Sequence, residues 1–251
     1  MHYGLIGHPL THSFSKSYFE TKFQQLGLPG YSYSNFDISS VHSLRDLVAE
    51  KQLAGFNVTI PFKTDVLECL DYTDPVAAKI GAVNCVKVVG NNQGSFSLKG
   101  YNTDYYGFAQ SIKPFLEPQH ERALIFGTGG SSKAVAYALE QVGVEVYFVT
   151  RGEKKHEKCF SYNELNDYIF QAFKLLVNTT PLGMYPATDT CVPISFGALG
   201  SQYLCYDLIY NPEETLFLKQ SRAQGAVTIN GLNMLRLQAD KSWEIWNDQA
   251  L

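Results

Sequence analysis

Short apolar runs alternate with segments of helical period along the whole chain, a pattern that predicts repeated β-α units and mostly parallel sheets. Residues 3–6 read as a strand. Residues 16–26 read as a helix carrying Tyr18, Phe19, Phe23 and Leu26, stopped by Gly27 and Pro29. Residues 31–38 look extended, and Val41, Leu44, Leu47 and Val48 share one helical face behind the capping serines Ser39 and Ser40. The next strand runs into Gly55-Phe56-Asn57-Val58-Thr59-Ile60-Pro61-Phe62-Lys63. Pro61 has no N–H to give a ladder, so the backbone is predicted to leave the sheet at Ile60 and present Lys63 on a turn. Residues 83–89 and 95–101 flank Gly90-Asn91-Asn92-Gln93-Gly94, which reads as a hairpin and makes the first half a mixed sheet.

The character changes between residues 104 and 121, where a helix ending at Pro114 and a polar stretch precede a new strand; a domain junction is placed there. Ala123-Leu124-Ile125-Phe126 is apolar at every position, as a parallel strand covered on both faces should be. It runs directly into Gly127-Thr128-Gly129-Gly130-Ser131-Ser132, a turn whose glycines let the backbone approach a pyrophosphate at a helix N-terminus. Ser132 replaces the third glycine of the usual fingerprint, so the motif alone fits a plain strand-to-helix turn as well as a dinucleotide site. The following helix over 131–142 and strand over 144–149 favour the dinucleotide. That second strand ends Val149-Thr150-Arg151 with no acid for a ribose 2′-hydroxyl, and Arg151 suits a 2′-phosphate, so NADP is predicted over NAD. Lys154 and Lys155 read as a solvated turn, and Glu153 is a competing signal.

Composition narrows the class. With 251 residues, 45% hydrophobic and 18% charged, the chain suits a packed globular protein of one large or two ordinary domains. A net charge of −4 without a dense basic run argues against nucleic acid and points to small-molecule work. Five scattered cysteines without CxxC spacing, and no charged leader before an apolar run, suggest the cytoplasm and no membrane. His8 and His12 straddle Pro9 and read as loop histidines rather than metal ligands.

Lys63 and Asp104 taken singly read as surface charges, and Asn102-Thr103-Asp104 as a helix cap. Asn84, in an apolar strand, reads as a core amide, and Asn57 and Asn178 as braces of their turns. Together the segments carry more. The stretch ending at Lys63, His12-Ser13-Phe14-Ser15, Gly81-Ala82-Val83-Asn84 and Gly100-Tyr101-Asn102-Thr103-Asp104 resemble the shikimate dehydrogenase family. So do Asn178-Thr179-Thr180-Pro181-Leu182-Gly183-Met184, Asp207-Leu208-Ile209-Tyr210-Asn211-Pro212 and Asn230-Gly231-Leu232-Asn233-Met234-Leu235, in the family's order and across nearly the whole chain. Departures are Lys16-Ser17-Tyr18 after Ser15, Cys85 after Asn84, and Thr150-Arg151-Gly152 at the adenosine end, with the chain shortened between Arg151 and Leu175.

The resemblance implies an α/β protein. A mixed α/β substrate domain, residues 1–103 with 232–251, would join a Rossmann-like parallel-sheet NADP domain, residues 104–231, and the last helix would pack back on the first domain. It implies NADP-dependent reduction of 3-dehydroshikimate to shikimate by a monomer or homodimer. By the same resemblance Ser13, Ser15, Thr59, Asn84, Tyr210 and Gln238 would hold the substrate, and Lys63 with Asp104 would sit at the reacting oxygen. Gly127, Thr128, Gly129, Gly130, Ser131, Thr150, Arg151, Thr179, Leu208 and Gly231 would line the cofactor. A protonated Lys63 can donate to the alkoxide that hydride addition leaves, and accept that proton in reverse. Asp104 favours the ammonium while desolvation opposes it, so the division of labour between the two stays open. Two rivals are a quinate/shikimate dehydrogenase using NAD and a non-catalytic shikimate-binding relative, the latter expected to lack Lys63 or Asp104.

Overall fold

The protein is described from a computed structural model covering residues 1–10, 14–90, 95–152 and 158–248. The chain divides into two compact units, residues 1–103 with 239–251, and residues 104–238.

The first unit contains β1 (His2–Gly7), α1 (Phe14–Gln25), β2 (Ser32–Asp37), α2 (Leu44–Lys51), β3 (Leu53–Val58), β4 (Tyr72–Thr73), α3 (Pro75–Ile80), β5 (Cys85–Gly90) and β6 (Phe96–Tyr101). Its sheet runs β2-β1-β3-β5-β6-β4. β1 is parallel to β2 and β3, whereas β5 is antiparallel to both β3 and β6, giving the mixed sheet that the hairpin pattern predicts. Residues 91–94 of that hairpin lie outside the described residues. β3 is regular to Val58, and its backbone stays bonded to the β1 chain through Thr59 N to Ile6 O at 2.9 Å and His8 N to Ile60 O at 3.0 Å, so the chain leaves the sheet at Ile60 as Pro61 predicts. Alternate strand residues feed two cores: Ile6, Phe56, Val58 and Val86 on one face, and Tyr3, Leu5 and Cys85 on the other.

The second unit contains α4 (Asp104–Ile112), β7 (Arg122–Phe126), α5 (Gly130–Glu140), β8 (Glu145–Thr150), β9 (Cys159–Ser161), α6 (Asp167–Ala172), β10 (Leu175–Asn178), β11 (Leu204–Asp207), α7 (Leu216–Ala223) and β12 (Val227–Ile229). α8 (Leu232–Asn247) begins in this unit and ends in the first. α4 stops at Ile112 and Pro114 sits in a 3₁₀ turn beyond it, where a missing N–H costs little. The sheet is entirely parallel in the order β12-β11-β10-β7-β8-β9, the doubly wound arrangement with its reversal between β7 and β10. Ala123 and Ile125 of β7 enter one core and Leu124 and Phe126 the other; all four are fully buried, which explains why the strand is apolar throughout.

The C-terminal half of α8 closes the second face of the first unit. Trp246 stacks on Tyr3 at 4.7 Å between ring centroids, packs on Phe19, and donates its indole N–H to Val86 O at 3.0 Å. Tyr18 and Lys22 of α1 both bond Asp240. The buried residues of α8 are Met234, Gln238, Ala239, Ser242, Ile245 and Trp246, a stripe rotated from the predicted Leu232, Leu235, Ala239 and Trp246 because two polar side chains take inward positions. A Cβ on Gly55 would lie 2.5 Å from the Trp246 ring. Gly55→Ala should therefore force the indole off its Val86 bond and destabilise the protein by about 1–3 kcal/mol. The unfolding midpoint in denaturant measures this, and an unchanged midpoint would show that the ring is not locked.

Candidate active site

In the first unit the sheet ends converge on a chain of buried polar groups. The turn after β3 carries Thr59 and Lys63, and the Lys63 carbonyl accepts from Val83 N at 2.7 Å, tying the lysine's backbone to the residue before Asn84. Asn84 is buried. Its carbonyl accepts from Val58 N at 2.9 Å, its N–H donates to Tyr101 O at 3.1 Å, and its side-chain Oδ1 accepts from Thr103 N at 2.6 Å. These bonds place Lys63, Asn84 and the peptide leading into Asp104 around one set of strand ends. Asn57 braces the turn as its sequence setting predicts: its amide bonds Tyr33, the Asn84 carbonyl and Ser242. Ser15, the second residue of α1, is buried and shares a hydrogen bond with the Tyr33 phenol, whose burial drives its pKa well above the usual tyrosine value. Ser13 lies outside the described residues.

In the second unit the glycine turn lies beyond the end of β7. Gly127 has φ +106°, the left-handed region, and a Cβ there would stand 2.8 Å from Thr179 Oγ1. Thr179 in turn donates its hydroxyl to Phe126 O at 2.6 Å, so the turns after β7 and β10 are stitched together. α5 opens on Gly129 as its N-cap with no side chain capping its first amides, and Thr128 and Gly129 are exposed. An uncapped helix N-terminus behind a glycine turn suits a phosphate. β8 ends at Thr150, whose hydroxyl accepts from Gly152 N at 3.2 Å, and Arg151 is exposed beside it. Lys154 and Lys155 lie outside the described residues, as does Glu153. Gly231 is required by close approach of two backbones: a Cβ would fall 2.0 Å from Leu208 O, and Gly231 N donates to Ile209 O at 3.0 Å. Leu208, Tyr210 and Gly231 thereby share one edge after β11.

Asp104 opens α4 and is buried. One turn on, Gly107 lets α4 approach α8, where a Cβ would meet Met234 O at 2.6 Å and Gln238 Cβ at 3.0 Å. Residues three apart share a helix face, so Asp104 and the buried Gln238 lie on adjoining turns of the same packed pair.

The sequence reading assigned no role to Asp207 and Thr215, which organise the second unit's loops. Asp207 is fully buried. Its carboxylate accepts from Thr215 Oγ1 at 2.6 Å, Ile209 N at 3.0 Å and Asn178 Nδ2 at 3.0 Å, while Asn178 Oδ1 holds Thr180 N and its hydroxyl. The loops after β10 and β11 thus share one buried anion. A carboxylate directly after the apolar run Leu204-Cys205-Tyr206 was the available signal, since a charge there needs several donors. Tyr33 and Ser242 were missed too, because both look like ordinary members of a strand and a helix. Among the described residues, no three His, Cys, Asp or Glu side chains gather as a metal site requires, and no helix is long and apolar enough to cross a membrane.

This geometry has known counterparts. Residues 5–86 match the model of the shikimate dehydrogenase substrate binding domain. A shikimate dehydrogenase (NADP(+)) of Methanococcus aeolicus is 39% identical over 97% of this chain and 90% of its own length. The crystal structure of shikimate dehydrogenase 1 from Peptoclostridium difficile superposes with a TM-score of 0.83 at 35% identity, covering 99% of this chain and 94% of that one. The Thermus thermophilus shikimate 5-dehydrogenase in complex with NADP(H) and shikimate superposes at 0.82 with 29% identity, covering 98% and 93%. The chain belongs to the shikimate dehydrogenase family.

Burial pushes the Asp207 carboxyl up from 3.8 to about 6, against the pull of Thr215, Ile209 and Asn178. Because the folded value is raised, the group favours folding most below its unfolded value, and that contribution disappears as pH rises through about 6. At 1.36 kcal/mol per pH unit the whole swing is about 3 kcal/mol, of which about 2 falls between pH 4 and 6. Asp207→Asn should remove it, so chemical denaturation at the two pH values should show a stability change from pH 4 to pH 6 that is more favourable by about 2 kcal/mol in the variant. Equal differences in both proteins would mean that Asp207 ionises in its ordinary range.

Proposed function

We propose that this protein catalyses the reversible, NADP-dependent reduction of 3-dehydroshikimate to shikimate, a step of aromatic amino acid (chorismate) biosynthesis, in the cytoplasm and as a monomer or homodimer. The observation that carries this reading is the tie between the turn of Lys63 and the segment of Asn84, made by the 2.7 Å bond from Val83 N to Lys63 O. It joins a proton donor and a fixed amide in the unit that also holds Ser15 and Thr59. We assign substrate binding to that unit and nucleotide binding to the unit of the glycine turn.

The residues fit a phosphorylated dinucleotide. Gly127, Thr128, Gly129, Gly130 and Ser131 would take the pyrophosphate, and Thr150 with Arg151 the 2′-phosphate. Thr179, Leu208 and Gly231 would line the nicotinamide half, where the Gly231 close approach leaves no room for a side chain. When bound, NADP supplies or accepts the hydride.

Ser13, Ser15, Thr59, Asn84, Tyr210 and Gln238 would orient a hydroxylated ring acid with neutral groups, fixing position without adding charge. Lys63 delivers a proton to the oxygen of the reduced carbon and takes it back in oxidation, and Asp104 holds that oxygen and the ammonium in register. In oxidation the O–H proton passes to the uncharged Lys63 amine.

Purified protein should reduce NADP⁺ on addition of shikimate. Lys63→Ala should lower kcat by about 10²–10⁴ with a smaller change in the shikimate KM. Arg151→Ala should lower kcat/KM for NADP⁺ by about tenfold or more and leave the value for NAD⁺ little changed, because only the former has a 2′-phosphate to lose. Failure of the unaltered protein to turn over shikimate with either nucleotide would overturn the reading.

A further inference from the structure

One fully buried hydroxyl in the first unit is used by neither the fold's ladders nor the proposed chemistry. Ser242 projects from α8 into the strand ends. Its Oγ accepts from Asn57 Nδ2 at 2.8 Å, stands 3.3 Å from Thr103 Oγ1, and shares a bond with the Cys85 thiol. Those partners are 185 and 139 residues away in sequence for Asn57 and Thr103, so α8 is what brings them a common neighbour.

The orientation of the Asn57 amide follows from one carbonyl. Asn57 Nδ2 donates to the Asn84 backbone oxygen at 3.2 Å, an atom that can only accept. The amide therefore has one orientation: its second N–H goes to Ser242, and its Oδ1 takes the Tyr33 hydroxyl at 3.0 Å. With the Tyr33 proton committed to Asn57, Ser15 is the donor in the Ser15–Tyr33 pair. At the other end Thr103 Oγ1 accepts from Asn84 Nδ2 at 3.0 Å, and Thr103 N fixes Asn84 Oδ1 at 2.6 Å. The run Ser15, Tyr33, Asn57, Ser242, Thr103, Asn84 is a continuous chain of hydrogen bonds that begins and ends on residues assigned to the substrate and passes the residue before Asp104.

We infer that Ser242 is a positioning residue for the substrate: its hydroxyl is the acceptor for the second Asn57 N–H and packs against Thr103, and so holds in place the two side chains on which the positions of Ser15, through Tyr33, and of Asn84 depend. This rests on the assignment of shikimate to Ser15 and Asn84 made above. Removing the hydroxyl leaves a buried Asn57 N–H without its acceptor, a cost relieved only if Asn57 shifts and draws Tyr33, Asn84 and Thr103 after it. The effect belongs to ring binding and not to the nucleotide, whose proposed residues all lie in the other unit.

The test is steady-state kinetics on the whole enzyme with shikimate and NADP⁺, the unaltered protein being measured first. Ser242→Ala should raise the shikimate KM by about tenfold, keep the NADP⁺ KM within about twofold, and add clearly less than about tenfold when placed on Asn84→Ala, since part of its effect reaches the substrate through the Asn84 side chain. Tyr33→Phe, which keeps the ring and deletes the hydroxyl at the other side of Asn57, should shift the same constant in the same direction. It decides the matter if Ser242→Ala does not fold. An unchanged shikimate KM in the folded variant, equal rises in both KM values, or a tenfold effect that persists undiminished on Asn84→Ala would overturn the inference and leave the activity standing. Absence of shikimate turnover in the unaltered protein would instead remove the activity assignment and this inference with it.

Discussion

The side-chain amide of Asn57 is the constraint on which the first unit turns. It is buried, it has one acceptor and two donor hydrogens, and each of the three is taken by a different part of the chain: Tyr33 on β2, the Asn84 carbonyl ahead of β5, and Ser242 on α8. A buried amide missing one of these bonds is costly, so the three segments must arrive together and at fixed heights. The heights of the turn after β3, of Asn84 and of the peptide before α4 follow from that requirement. Packing of Trp246 across Gly55 supplies the apolar half of the same arrangement, two residues along β3.

The second unit solves a similar problem with a charge in place of an amide. Asp207 collects a hydroxyl, a backbone N–H and an amide from its own loop and from the loop after β10. Both loops leave the carboxyl ends of parallel strands beside the reversal of strand order, where doubly wound sheets bind their ligands. A buried carboxylate is an expensive way to fasten two loops, and the desolvation that makes it so is what raises its pKa. In return the carboxylate is satisfied by three donors only when all the contributing segments are in place, which specifies the loops more sharply than apolar packing of the same volume does.

Much of this was legible in the sequence wherever period or backbone chemistry carries the signal. β7 announced its burial on both faces by having no polar position at all, and the two cores on either side of it are the reason. The hairpin of β5 and β6 followed from its glycine-bounded turn, and the helix after Gly129 from the strand before it. The departure of the chain from the sheet at Ile60 followed from Pro61, since Ile60 O still accepts from His8 N at 3.0 Å and the proline has no N–H to continue. The buried stripe of α8 was misjudged because Gln238 and Ser242 count as outward-facing in any hydrophobic pattern, while their inward positions depend on partners far away in sequence. For the same reason Tyr33 stands out from its strand no more than its neighbours do, and Asp207 is one letter of a motif. Ser13 and the lysines after Arg151 belong to segments outside the described residues, and their sequence readings stand where they were.

Gly129 has open space where a side chain would begin: no atom lies within 4 Å of the position a Cβ would occupy. Packing therefore does not explain the glycine, and a serine or aspartate there would fit and would cap α5. Glycine forgoes only a few tenths of a kcal/mol as an N-cap relative to those residues. The first turn of α5 is thus left to be completed by whatever anion arrives. In the proposed binding mode a cofactor phosphate would act as a reversible helix cap, and the stability of the second unit would become a function of nucleotide concentration.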